Sequence, residues 1–262
     1  MSNTNMITAK KAKNDEFYTQ YCTIYKELVF YKDCLKGKIV YCNCDTEESN
    51  FVKFLNDVKV NWGIREVWHT SIQEGYSFDS DYSIDLLKKC DVVITNPPFS
   101  LFKQYIDLLF KYNKDFLIIG NVVAVNYENV FYKFKNNELH YGVTIHNGHT
   151  KFITQEGCLK EVSVRWYTNM NTNVELPFLQ YKGVAEYEYF DNTDIINVNR
   201  ISELPCEYNG IIGVPTTFLD KYNNKQFEIL GLCTPSRYYG DIPCYSIVDG
   251  NKLYARLLIR RL

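Results

Sequence analysis

The run DVVITNPPFS, residues 91–100, ends an apolar stretch in an Asn, two prolines and a Phe. Prolines fix φ and carry no N–H, so Pro97 and Pro98 hold a carbonyl oxygen in a set direction with no amide competing for it. The Asn96 side chain adds a second carbonyl, and two acceptors converging on one point suit an exocyclic amine with two hydrogens to donate. Phe99 supplies a flat apolar face against which a planar base can stack. An amine held this way, once its nitrogen loses conjugation to its ring, can attack a methyl sulfonium in line. Positioning and preorganised acceptors then supply the catalysis. A bare Asn-Pro-Pro-Phe is also an ordinary stiff strand ending, so its place in the chain decides between the two readings.

That place is an alternation of strands and helices. Helical spacing of Ile24, Leu28 and Tyr31 predicts a helix over 23–31, followed by the strand KIVYC. The strand ends at NCDTEESNF, where Asn43, Asp45 and Ser49 mark a turn and a helix start. IREVWHTS reads as the next strand, YSIDLLKKC as a short helix and DVVITN as a buried strand. SLFKQYIDLLFKY follows as a helix with Leu101, Tyr105, Leu108 and Leu109 on one side, and DFLIIGN as a further buried strand. Continuous apolar strands alternating with helices predict a parallel, helix-covered α/β sheet. Ligands of such sheets sit at the carboxyl ends of the strands. The polar corners NCD, HTS or SFDSD, and NPPF all fall on that edge. After about Tyr167 the texture changes to short aliphatic runs between Asn, Gly and Pro turns, which predicts a smaller, mainly β module.

Composition narrows the function classes. Net charge is −2, with no global basic signature, so a nucleic-acid partner has to be held by local patches such as Lys10, Lys11 and Lys13, or Lys252, Arg256, Arg260 and Arg261. No apolar run approaches a membrane span and the start lacks the apolar block of a secretory signal, so a cytoplasmic location is expected. The nine cysteines are scattered with no C-x-x-C pair, which predicts reduced thiols and no metal site. His146 and His149 have usable spacing but no third ligand, and read as a surface hairpin loop.

NDEFYTQY, GKIVYCNCD with SNF, DVVITNPPFSLF, FLIIGN, RWYTNM, YNGIIGVPTTFLDKYNNKQFEILG and RLLIRRL together resemble the EcoRI-type adenine-specific DNA methyltransferases over nearly the whole chain. The resemblance implies a Rossmann-like domain binding S-adenosylmethionine over 1–168 and a target-recognition module over 169–262. By it, Asn96, Pro97, Pro98 and Phe99 are catalytic, and Phe17, Tyr18 and Thr19 close over the methionine part of the cofactor. Asn43, Cys44 and Asp45 occupy a cofactor-contacting position, where Asp45 either pairs with the methionine ammonium or caps the next helix. At GYSFDSD the chain departs from the family's Asp-Phe pair. Ser77 and Phe78 stand there, with Asp79 or Asp81 left to take the acidic role.

A flipped base needs a second platform, and Phe152 lies in about the right part of the order, with Trp166 as competitor, although such aromatics more often fill a core. The implied activity is transfer of a methyl group from S-adenosylmethionine to adenine N6 in double-stranded DNA. Methylation of cytosine N4, RNA or a glutamine amide, and an inactive DNA-binding relative, stay open as alternatives. A restriction system with a cognate endonuclease, a solitary methylase and a mobile-element protein all fit.

Overall fold

The computed structural model describes residues 18–146, 149–153 and 159–262, which form two compact units. The first comprises residues up to Ala124 together with Tyr141–Val174, and the second Val125–His140 with Glu175–Leu262. The sequence reading places a single boundary between 168 and 169.

The first unit is built on strands β1 (Tyr18–Thr19), β2 (Ile39–Cys42), β3 (Glu66–His69), β4 (Val92–Thr95), β5 (Asp115–Asn121), β7 (His149–Ile153) and β8 (Leu159–Thr168), with the short β6 (His140–Tyr141) at the seam in sequence. The spatial order is β1-β7-β8-β5-β4-β2-β3. β3, β2, β4 and β5 run parallel. β8 then pairs antiparallel with β5, β7 with β8, and β1 with β7. The four strands read from the alternation are parallel as expected, and the antiparallel β8, β7 and β1 extend them into a mixed sheet. Strand–helix alternation stops at β5, and an antiparallel neighbour needs no crossover helix.

Side chains alternate across this sheet. Val40, Cys42, Val92, Ile94, Leu117, Ile119, Val164 and Trp166 share one cluster with Ile24 and Leu28 of α1 (Tyr21–Leu28) and Phe51, Phe54 and Leu55 of α2 (Asn50–Trp62). The intervening residues Tyr41, Val93, Phe116 and Ile118 are also buried. They belong to the other face, where α4 (Phe102–Lys111) sets the Phe102 ring 4.9 Å from Tyr167 and the Phe110 ring 5.6 Å from Phe116. The buried side of α4 is Phe102, Tyr105, Ile106 and Leu109. Leu101 lies before the helix in a short 3-10 turn and Leu108 is only half-buried, because the helix begins one residue later than its apolar pattern suggests.

Local signals set the helix starts. Ser49 caps α2 by accepting the Val52 N–H at 3.2 Å, and Gly63 ends it at φ 68° in the left-handed region. Ser80 caps α3 (Asp81–Lys89) in the same manner, taking the Ser83 N–H at 3.3 Å. α1 covers Tyr21–Leu28 and tightens into a 3-10 turn over Val29–Leu35, so the expected helix at 23–31 is found two residues earlier.

The second unit is mainly β, with α5 (Glu128–Lys135). Its main sheet has the order β13-β12-β16-β11-β10-β9, from β9 (Glu188–Tyr189), β10 (Ile196–Asn197), β11 (Ile212–Pro215), β12 (Phe227–Cys233), β13 (Tyr238–Gly240) and β16 (Arg256–Arg261). β14 (Ile247–Val248) and β15 (Asn251–Lys252) form a separate hairpin. Of the C-terminal basic residues, Lys252 and Arg260 are exposed, while the three arginines have partners within the fold. Arg256 is buried and donates to Asn197 Oδ1 and Asn199 Oδ1, Arg260 pairs with Glu228 at 2.6 Å, and Arg261 donates to the Pro205 carbonyl and lies 4.8 Å from the centre of the Phe227 ring. Lys10, Lys11 and Lys13 lie outside the described residues.

Candidate functional site

A cavity of about 510 Å³ opens in the first unit at the carboxyl edge of the parallel strands. That size suits a small-molecule ligand, for which pockets of roughly 300–1,000 Å³ are typical. Tyr18, Thr19, Asn43, Cys44, Asp45, Phe78, Asn96, Pro97 and Pro98 all line it. Three separate strand ends and the N-terminal strand β1 thus converge on one hollow.

Each contributor is fixed by identifiable contacts. β1 pairs with β7 through Thr19 opposite Phe152, and the Asn50 side chain donates to the Thr19 carbonyl at 2.8 Å, so β1 is tied to the start of α2. Asn43 is fully buried and accepts the Tyr105 hydroxyl from α4. The Phe78 ring stands edge-on to Tyr105, 5.1 Å between centres, which links the β3–α3 loop to the same support. Burial, with Asp45 beside it, holds the Cys44 thiol well above its usual range, so Cys44 is a neutral wall residue and not a nucleophile.

Asp45 joins two corners. Its backbone N–H donates to the Thr70 carbonyl after β3 at 3.2 Å. Its carboxylate accepts the Thr95 hydroxyl at the end of β4 and the Asn96 N–H, and the nearby Ser49 hydroxyl also favours its ionised form. Burial outweighs these hydrogen bonds and raises the carboxyl from 3.8 to about 6. A raised carboxyl means that the fold favours the protonated form. The resulting stabilisation is complete below about pH 4 and is lost as pH rises through about 6, which amounts to roughly 3 kcal/mol. Glu27, buried in α1 and also raised by burial, acts in the same direction. Denaturant titrations of wild type and Asp45→Asn should show the variant losing a clear part of this pH dependence. An unchanged slope between about pH 4 and 7 would contradict the assignment.

Several expected residues stand elsewhere. Phe99 begins the 3-10 turn after the corner and packs against the core cluster, outside the cavity lining. Asp79 is exposed and accepts the Ser77 hydroxyl, while Ser77 itself lines the cavity beside Phe78. Phe152 is fully buried in the core cluster, as is Trp166, whose ring meets Phe51 edge-on at 6.0 Å. Phe17 lies outside the described residues. Among the described residues no group of three or more His, Cys, Asp or Glu could hold a metal, and no helix is long and apolar enough to cross a membrane.

Ile72 and Gln73 after β3 and Glu48 at the start of α2 line the cavity without having stood out in the sequence, whereas Ser71 of the HTS corner is found at the edge expected for it. The available signal was positional: the residues just past a parallel strand face the ligand edge whatever their type.

A family model described as adenine-specific methyltransferase EcoRI matches residues 5–61 and 55–256. The chain is 36% identical to the Type II methyltransferase M.EcoRI of Escherichia coli, over 85% of this chain and 87% of that protein. It is 34% identical to the Type II methyltransferase M.MgeORF184P of Mycoplasma genitalium and 32% identical to M.MpnI of Mycoplasma pneumoniae, in each case over 97% of both chains.

Proposed function

As the chain belongs to the EcoRI family of adenine-specific methyltransferases, we propose that it methylates the exocyclic N6 amine of an adenine flipped from double-stranded DNA, using S-adenosylmethionine. The observation that carries this is the shared cavity, in which Asn96, Pro97 and Pro98 face the same hollow as Tyr18–Thr19, Asn43–Cys44 and Ser77–Phe78.

The residues fit the cofactor. Thr19 Oγ1 and Asn43 Nδ2 are buried polar atoms with no hydrogen-bond partner among the described residues, and both residues line the cavity. Buried polar groups are rarely left unpaired, so a polar ligand that satisfies both is favoured. Phe78 offers an apolar ring for an adenine moiety, and Tyr18 a half-exposed one at the entrance side of β1. When bound, S-adenosylmethionine supplies an electrophilic methyl group on a sulfonium.

The chain's own part is to orient the amine. The Asn96 side-chain oxygen and the Pro97 carbonyl accept its two hydrogens, which directs the nitrogen lone pair, and neither proline presents an N–H to compete. Target recognition falls in this reading to the mainly β unit, Val125–His140 with Glu175–Leu262, which contributes no residue to the cavity lining. Arg256, buried in the sheet, is withdrawn from phosphate contact, whereas Lys252 and Arg260 remain exposed for it.

Asn43→Ala is expected to weaken S-adenosylmethionine binding about tenfold in calorimetry, through loss of one buried hydrogen-bonding side chain. Unchanged affinity would remove Asn43 from the cofactor set. The function itself is tested by incubating the protein with methyl-labelled S-adenosylmethionine and separate pools of DNA, RNA and protein. Label is expected in DNA. Label confined to RNA or protein, or no label together with no cofactor binding, would overturn the proposal.

A further inference from the structure

The Asp45 carboxylate is already occupied within the protein. It accepts the hydroxyl of Thr95, the last residue of β4, and the N–H of Asn96, the first residue of the acceptor corner, and Ser49, the cap of α2, stands beside it. A carboxylate has about four lone-pair sites, and these neighbours crowd them. Only 8% of the residue is exposed. The side chain therefore pins the β4 corner to the β2 corner from below.

We propose that Asp45 is a positioning residue for methyl transfer: its ionised carboxylate holds Asn96 and Pro97 at the aim the amine requires, and does not grip the cofactor's ammonium. This deepens the function proposed above and rests on it.

The chemistry follows from the charge. Hydrogen bonds to an ionised acceptor are roughly twice as strong as neutral ones, so the ionised form fixes the Asn96 backbone most firmly. Protonation weakens these contacts together and frees the corner to shift, and a small misalignment of reacting groups is costly. The groups facing Asp45 are Cys42 and Cys44 from its own corner, His69 at the end of β3 and Tyr105 from α4. Only His69 among them bears a positive charge when protonated, and it favours the ionised carboxylate. Because burial brings the carboxyl up to about 6, its ionisation falls within an accessible range.

The test measures kcat at saturating DNA, and the S-adenosylmethionine dissociation constant, from about pH 5 to 8 for wild type, Asp45→Asn and Thr95→Val. Wild-type kcat should fall on an acid limb near 6 while the dissociation constant changes less than about twofold. Asp45→Asn should lower kcat about 10- to 100-fold, flatten the limb and leave cofactor affinity nearly intact. Thr95→Val removes one hydrogen bond to the charged form, so its limb should move to higher pH. Cofactor affinity lost in step with kcat in Asp45→Asn, or a limb that survives in it, would overturn the proposal. Wild-type protein that binds no S-adenosylmethionine and methylates no pool overturns the function, and this inference with it.

Discussion

Asn96→Ala is expected to lower kcat by about 100-fold or more while changing the S-adenosylmethionine dissociation constant by less than about threefold. The size follows from removing one preorganised polar group that acts on the reacting atoms, which typically costs about 10²–10³ in rate. The selectivity follows from placement. Asn96 stands at the end of β4 beside the two prolines, whereas the residues assigned to the cofactor are Thr19 on β1 and Asn43 after β2. Alanine keeps the backbone N–H that Asp45 accepts, so the corner itself remains anchored. Stopped single-turnover kinetics with an equilibrium binding measurement separate the two effects. Equal loss of binding and turnover would show that Asn96 serves the cofactor.

Phe152→Ala is expected to destabilise the protein by about 3–5 kcal/mol, measured by denaturant unfolding, with cofactor affinity reduced only through β1. Phe152 is fully buried in the cluster that joins α1, α2 and one face of the sheet, and its backbone pairs with Thr19. Truncating it leaves a cavity where helix and strand side chains now meet. Its partner strand carries Tyr18 and Thr19 of the candidate site, so the damage spreads to the cavity wall. A base-stacking side chain would behave otherwise: stability would hold, and the affinity for DNA with an unpaired target base would fall. Stability within about 0.5 kcal/mol of wild type would restore that role.

The contrast between these residues marks what was legible in the sequence. Asn96, Pro97 and Pro98 were readable because their chemistry is local: a proline pair fixes its own carbonyl wherever it sits. Ser49 announced helix α2 for the same reason. Asp45 was left between a cofactor contact and a cap, and its connection to Thr95, 50 positions away, comes from the pairing of β2 beside β4. Phe99 and Phe152 present the same aromatic ring in a core or in a stacking site, and only packing separates the two, so the local chemistry of either residue is silent. The antiparallel β8 escaped because periodicity reports burial and not strand direction. The C-terminal arginines looked like a basic tail for a related reason, since the Asn197, Asn199 and Glu228 that engage Arg256 and Arg260 are 32 to 59 positions earlier in the chain, brought close by β10, β12 and β16.

The departure at Ser77-Phe78 is resolved in part by geometry. Phe78 is buried at the cavity wall against Tyr105, and Ser77 donates its hydroxyl to the exposed Asp79. Under the proposed function, Phe78 is the member of the pair that faces the cofactor. The acidic group sits one step behind it, within reach of the loop but outside the lining.

The central claim is that the acceptor corner delivers a methyl group to adenine N6 in DNA. It is tested most directly by reacting duplex DNA with methyl-labelled S-adenosylmethionine, digesting the product to nucleosides and identifying the labelled one. Label is expected in N6-methyl-2′-deoxyadenosine, its initial rate of appearance lowered about 100-fold or more in Asn96→Ala. Label in N4-methyl-2′-deoxycytidine, or label in N6-methyl-2′-deoxyadenosine undiminished by Asn96→Ala, would contradict it.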